Sequence, residues 1–279
     1  MAKTLYDGLA FKTRMNRQLF LSFVERLGGR LVKFLIGLGD AIGLLLRNLR
    51  VIFIFQSRLS LTVEQMYYCA ARSFGIIVVG SFFVGMVLAM QTAYELQKFG
   101  LTLQIANIVC VSLVRELSPV FTALLLAGRV GSGMTAELGS MKINDQIKAM
   151  KMLNLDIDRL LISPRLIAST LAAFSLTIVF DVVGIVGGYM VGVWQMNVPF
   201  YTYHSTTLEA LTFKDMACGL IKGIFFGMLI ALVSCYYGLS AKGGAKGLGE
   251  NTKKSVVTSS IIVLISDFFL TKLLIFLLD

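Results

Sequence analysis

Two ionisable residues lie next to each other inside one of the most apolar stretches of the sequence. Arg115 and Glu116, followed by Pro119, interrupt the run IANIVCVSLVRELSPVFTALLLAG, which extends from Ile105 to Gly128. A charged side chain at the centre of a bilayer costs about 2.5–3.5 kcal/mol, so each needs a counter-charge, water or a headgroup. One interpretation is a polar lining around a cavity that holds the headgroup of an amphiphile. The other is a structural ion pair with an ionisable residue of another apolar run: Asp181, Asp267 or Lys222. Pro119, which removes one backbone hydrogen bond, is compatible with both.

A polar segment with helical spacing follows the same apolar run. Small residues lead into MKINDQIKAMKMLNLDIDRL, from Met141 to Leu160, in which Met141, Asp145, Lys148 and Met152 share one helical face. The spacing predicts a short amphipathic helix outside the bilayer, lying on the membrane or docked into another protein. Its closely mixed charges favour the protein contact, although spacing alone favours it only slightly.

The composition places both features in a membrane protein. The chain has 279 residues, of which 56% are hydrophobic and 15% charged, and its mean hydropathy is +0.79. Soluble domains carry about 25% charged residues, whereas a helix needs about 20 apolar residues to cross a bilayer. We predict an all-α integral membrane protein with about five transmembrane helices. The predicted spans are Phe74–Leu96, Ile105–Gly128, Leu166–Trp194, Met216–Leu239 and Val256–Leu278.

The N-terminal region, residues 1–60, differs from residues 61–279. Its run from Phe34 to Leu46 is short, contains Asp40 and is followed by arginines, which favours a helix lying in the membrane interface over a span. Eleven of the 26 lysines and arginines lie in residues 1–72, six between Arg129 and Arg165, and four between Lys242 and Lys254. These segments share one side of a five-span topology, so we predict a cytoplasmic N-terminus.

Two series of glycines predict where helices pack closely, and three aromatic residues predict the outer membrane interface. Glycines four apart lie on one helix face and predict close helix contacts: Gly184, Gly188 and Gly192, and Gly219, Gly223 and Gly227. Trp194, Tyr201 and Tyr203 are predicted at the outer interface.

Several functional classes find no support in the residues. The four cysteines have no C-x-x-C spacing and His204 is the only histidine, so neither a metal site nor a Ser/His/Asp or Cys/His catalytic set is indicated. Gly244 and Gly249 have the spacing of a phosphate-binding loop, but Glu250 and Asn251 follow where Lys and Ser or Thr are required. No basic patch is interleaved with stacking aromatics, so nucleic-acid binding is not expected. We predict no catalytic site and no cofactor in this chain.

Several ungapped blocks resemble the MlaE/YrbE-type permease family, the membrane subunits of ABC transporters that move lipids between membranes. The blocks are FFVGMVLAMQ, RELSPVFTALLLAGRVGSGMTAELGSMKINDQIKAM, ISPRLIA, YYGLSAKGGAKGLGENTKKSVVTSSI and DFFLT, in this order from about Ile77 to the end. Residues 1–60 match poorly.

The resemblance implies a permease for phospholipids in a bacterial inner membrane, acting in outer-membrane lipid asymmetry. It implies a homodimer joined to cytoplasmic ABC ATPases that bind ATP and Mg, and to MCE-domain subunits on the periplasmic face. A small accessory cytoplasmic subunit is a further candidate partner. It places five residues in or near a lipid cavity: Arg115, Glu116, Gln91, Tyr94 and Pro119. It assigns the segment from Glu137 to Met152 to ATPase coupling, through Glu137, Met141, Asp145, Lys148 and Met152.

The main alternative is a secondary transporter or ion channel that relays protons or cations through Glu116, Asp181 and Asp267. An inverted repeat would favour it, and the two halves of the sequence show none. A membrane-embedded lipid enzyme is less consistent with the sequence, which has no His, Cys or carboxylate cluster.

Overall fold

Five long helices and two short ones make up the part of the chain that the computed structural model describes, namely residues 59–101, 104–196 and 198–278 with Gly39, Gly43, Leu46 and Arg47. The long helices are α1 (Leu59–Gln97), α2 (Ile105–Ile143), α4 (Asp158–Trp194), α6 (Phe213–Leu239) and α7 (Gly244–Leu278). The short ones are α3 (Gln146–Met152) and α5 (Phe200–Ala210). All five long helices are apolar enough to cross a membrane, which confirms the predicted all-α membrane fold.

The long helices extend beyond the predicted apolar runs. α1 begins at Leu59 instead of Phe74, and α2 continues past Gly128 to Ile143. At about 1.5 Å per residue, a helix of 39 residues is about 58 Å long, whereas the hydrocarbon core is about 30 Å thick. Polar turns of α1 and α2 therefore project from the bilayer.

The chain divides into two compact units, Met1–Leu46 and Arg47–Asp279, and all seven helices belong to the second. Gly39, Gly43 and Leu46 are helical. The rest of the predicted interfacial helix lies outside the described residues.

Glycines allow close contacts between the long helices, as the ladder through Gly219 predicted, and Gly187, which belongs to neither predicted ladder, allows another. A Cβ atom at Gly187 of α4 would fall on the backbone carbonyl of Phe82 in α1. A Cβ at Gly219 of α6 would fall on the carbonyl of Val114 in α2. No side chain fits at either point, so these backbones approach each other only because the residue is glycine.

Three turns of the long helices are π-helical, with hydrogen bonds to the carbonyl five residues earlier instead of four. We call Leu113–Leu117 and Ala127–Gly131 of α2 the first and second wide turns, and Asp158–Ile162 at the start of α4 the third. A Ser-Pro pair directly follows the first wide turn and the third one.

The polar segment from Met141 to Leu160 contains one short helix, α3, between α2 and α4. α2 ends at Ile143, and Asp145 has a φ of 57°, so the chain changes direction before α3 begins. Asn154, with a φ of 55°, forms a second break after α3. Asparagine and aspartate are the residues besides glycine that most often adopt this left-handed conformation, and the break at Asp145 interrupts the predicted spacing from Met141 to Met152.

The short helix α5 packs one aromatic side chain against α4. Tyr203 is 3% exposed, and a Cβ at Gly192 would fall on its ring. This burial raises the pKa of Tyr203 and shows that its ring packs against α4. Trp194 and Tyr201, by contrast, are 74% and 81% exposed.

Candidate functional site

The first wide turn presents Arg115 and Glu116 to two different partners. Arg115 Nε lies 3.1 Å from Asp215 Oδ1, at the start of α6. Glu116 Oε2 lies 2.6 Å from Nζ of Lys222, two turns further along α6. Adjacent residues of a helix point in different directions, so each charge meets its own counter-charge on the same neighbouring helix. We call Arg115, Glu116, Asp215, Lys222 and Asp267 the charged cluster.

Lys222 is the buried centre of this cluster. Its side chain is 0% exposed, and Nζ donates to Glu116 Oε2 at 2.6 Å, Thr271 Oγ1 at 2.7 Å and the backbone carbonyl of Arg115 at 3.2 Å. Asp267 Oδ1 lies 3.0 Å from Nζ as an ion-pair partner but has no hydrogen bond. An ammonium group has three N–H bonds, and the other three oxygens already accept them.

The charged cluster lies within helices that are apolar enough to cross a membrane. Arg115 is ten residues from the start of α2, which corresponds to about 15 Å along the helix axis. Asp215 is close to the start of α6, and Lys222 is two turns further in. Charges inside a membrane-spanning helix are stable only when they are paired with one another or with polar groups.

The pairs are open on one side. The side chains of Arg115 and Glu116 are 30% and 40% exposed, whereas those of Asp215 and Lys222 are 9% and 0% exposed. The buried members therefore hold the two exposed ones in place from within the bundle. The exposed guanidinium has donors that fit a phosphate, and the exposed carboxylate accepts from an ammonium or hydroxyl group.

The other residues predicted for the cavity lie apart from these contacts. Gln91 and Tyr94 are exposed near the end of α1, where Lys98 Nζ lies 4.5 Å from the centre of the Tyr94 ring. No hydrogen bond or ion pair in the described ranges joins them to Arg115 or Glu116. Pro119 is buried two residues after the first wide turn.

The residues predicted for coupling fall on three different elements. Glu137 and Met141 lie on the last turns of α2, Asp145 on the break, and Lys148 and Met152 on α3. Lys148 and Met152 are exposed, and Met152 is 78% exposed.

Glu137 has a partner within the chain. Its Oε1 lies 2.9 Å from an Nη atom of Arg165, whose side chain is 3% exposed. Arg165 also donates to the carbonyl of Leu161 in the third wide turn, at 2.7 Å. This pair ties the end of α2 to the start of α4, on either side of α3.

Two members of the site did not follow from sequence reasoning. Asp215 directly precedes the predicted span Met216–Leu239, although Thr212 and Asp215 have the spacing of a helix N-cap. The structure shows that cap, because the Thr212 hydroxyl accepts from the Asp215 amide at 3.3 Å and donates to its carboxylate at 2.5 Å. Thr271 lies one helical turn after Asp267, a spacing that indicates a shared face.

Comparisons with known proteins cover the whole helical bundle. The profile of a family described as Permease MlaE matches residues 62–273. A probable ABC transporter permease protein of Rickettsia typhi is 38% identical over 216 residues, which cover 77% of this chain and 83% of that protein. A probable ABC transporter permease protein of Synechocystis is 40% identical over 215 residues, 76% of this chain and 81% of that protein. The intermembrane phospholipid transport system permease protein MlaE of Haemophilus influenzae is 33% identical over 257 residues, 92% of this chain and 98% of that protein.

Proposed function

Because the chain belongs to the MlaE permease family of ABC transporters, we propose that it forms the membrane path of an ATP-driven phospholipid transporter. The headgroup binds at the charged cluster. The acyl chains remain against the apolar faces of the helices. ATP and Mg bind to a separate cytoplasmic ATPase, and this chain contributes no catalytic residue.

The exposure of Arg115 and Glu116 within an apolar long helix carries this proposal. Two side chains that are 30% and 40% exposed gain more from a zwitterionic or anionic headgroup than from hydrocarbon. Arg115 is suited to the lipid phosphate because a guanidinium forms two parallel hydrogen bonds with phosphate oxygens.

We propose an assembly that uses both ends of the bundle. α3 and the exposed tip that follows it, with Met152 and Leu153 at 78% and 73% exposure, contact the ATPase. The N-terminus is cytoplasmic, in a bacterial inner membrane. A second copy of the chain covers the open side of the charged cluster, and MCE-domain subunits receive or deliver lipid at the opposite end. A small cytoplasmic accessory subunit completes the complex.

Replacing Glu116 tests the proposal directly. In proteoliposomes that contain the complete complex and a fluorescent phospholipid, we expect Glu116→Ala to lower the transport rate about ten-fold, because a charge-assisted hydrogen bond contributes about 1.5–3 kcal/mol. Assembly with the ATPase stays intact. Glu95→Ala is the control, since Glu95 is also a glutamate on a long helix but is 64% exposed and, within the described ranges, pairs only with Lys98 at 3.0 Å.

Two results would count against this function. Normal transport and unchanged lipid content in Glu116→Ala would remove the charged cluster from the lipid path. Transport by the purified chain without its ATPase would favour the secondary transporter instead.

A further inference from the structure

Pro119 leaves a gap in the hydrogen bonding of α2. In an α-helix, the amide of residue 119 would donate to the carbonyl of Arg115, four residues earlier, but proline has no N–H. The carbonyl in question belongs to the first wide turn, Leu113–Leu117. A buried carbonyl that lacks its helical donor must find another one within the bundle.

Lys222 supplies that donor from the neighbouring helix. Its Nζ lies 3.2 Å from the Arg115 carbonyl oxygen, and its side chain is fully buried. Gly219 lies one turn earlier on the same face of α6, where a Cβ would fall on the carbonyl of Val114. The glycine thus admits the wide turn against α6, and the lysine bonds to it.

A related arrangement occurs at the third wide turn. Ser163 and Pro164 follow it, as Ser118 and Pro119 follow the first. There the buried cation is Arg165, which donates to the Leu161 carbonyl at 2.7 Å and pairs with a glutamate of α2. Each of these two turns therefore combines a proline, a buried cation bound to a turn carbonyl, and a glutamate of α2 bound to that cation.

We propose that Lys222 is a positioning residue that replaces the missing amide of Pro119 and so keeps the first wide turn in the conformation that presents Arg115 and Glu116. Lys222 binds the backbone of Arg115 and the side chain of Glu116 through the same ammonium group. It therefore fixes both the turn and one of the two charges that the turn carries. The consequence for headgroup binding rests on the proposed function, whereas the backbone role does not.

A double-mutant cycle separates the backbone role from the charge of Lys222. Lys222→Met removes the donor and the counter-charge together, whereas Pro119→Ala restores an amide that can donate to the Arg115 carbonyl. We expect Lys222→Met to lower the folding equilibrium constant in both backgrounds. The fold-loss should be at least about five times smaller in the Pro119→Ala chain than in the natural chain. The measurement is reversible SDS-induced unfolding of the full chain in lipid bicelles.

Two control variants make the result specific. Thr135→Val removes a buried hydroxyl of α2, the helix that contains Pro119. This hydroxyl bonds to Ser234 and Ser255, far from Pro119, so the effect of Thr135→Val on stability should add to that of Pro119→Ala. Lys222→Arg keeps both charge and donors and should retain most of the stability. It remains measurable if Lys222→Met does not fold.

The outcomes distinguish this inference from the proposed function. If the effects of Pro119→Ala and Lys222→Met on stability are additive, the positioning role is overturned. Where Lys222→Met does not fold and Lys222→Arg is itself destabilised, additive effects of Pro119→Ala and Lys222→Arg overturn it in the same way. The positioning role is supported if Lys222→Met shows the expected coupling to Pro119→Ala, while Lys222→Arg is stable and changes the stability equally in both backgrounds. Absence of lipid transport by the natural complex would refute the proposed function and leave the stability coupling unaffected.

Discussion

The pair formed by Arg165 and Glu137 predicts an unequal response to the loss of either partner. Glu137→Ala leaves a guanidinium that is 3% exposed with the Leu161 carbonyl as its remaining partner, and its Nε already has no hydrogen bond among the described residues. Arg165→Met leaves a carboxylate on a side chain that is 44% exposed and can turn towards water. The first change strands a buried charge, and the second does not.

The size of the difference follows from burial. Breaking a buried ion pair costs about 3–5 kcal/mol, and the exposed side of Glu137 reduces this to about 2–3 kcal/mol, because water reaches the pair there. Arg165→Met loses mainly one partly exposed pair and one hydrogen bond, about 1 kcal/mol. We therefore expect Glu137→Ala to be the more destabilising change by at least about 1 kcal/mol.

Unfolding with SDS in bicelles measures this difference in stability. Co-purification of the ATPase shows whether Glu137 acts only through Arg165 or also contacts the ATPase itself. If Glu137 acts only through Arg165, then Glu137→Ala and Arg165→Met reduce co-purification alike, and Glu137→Gln, which keeps an acceptor, has a smaller effect. Arg159→Ala is the control, because its pair with Asp156 is 48% exposed on both sides and contributes little. Equal destabilisation by Glu137→Ala and Arg165→Met would refute the argument from burial.

Two further predictions concern packing and docking. Gly187→Leu should lower the free energy of unfolding by several kcal/mol because its Cβ meets the backbone of Phe82, whereas Gly249→Ala, which meets nothing, should not; equal melting temperatures would contradict the close α1–α4 contact. Met152→Asp should weaken ATPase co-purification and leave unfolding unchanged, since the side chain is 78% exposed; retained ATPase would place the docking surface elsewhere.

The sequence predicted the helices well because crossing a bilayer demands long apolar runs. Each predicted span lies within one long helix, and the ladder through Gly219 supports a close contact. The need for counter-charges also made Lys222 one of three candidate partners for Arg115 and Glu116, with Asp181 and Asp267, and the structure joins Lys222 to Glu116. These features follow from the properties of single residues or single helices, which sequence alone contains.

The remaining features depend on how helices meet. Asp215 lies next to a polar loop, and only the packing of α6 against α2 brings it to Arg115. The wide turns have no compositional signature, because a π turn is selected by what surrounds it. Tyr203 is of a residue type that often anchors proteins at the membrane interface, but its ring is buried because Gly192 leaves room for it.

The second wide turn, Ala127–Gly131, lies on α2 between the two glutamates that hold buried cations, Glu116 and Glu137. A π turn contains one residue more than an α turn, so tightening it would advance the rest of the helix by a single step, about 100° of rotation and 1.5 Å of travel. The hydrogen bonds of the turn follow either the π pattern or the α pattern, so this change occurs in one step. A displacement of α3 would therefore reach Arg115 and Glu116 either as a rigid-body movement of α2 or as a one-residue change in this turn.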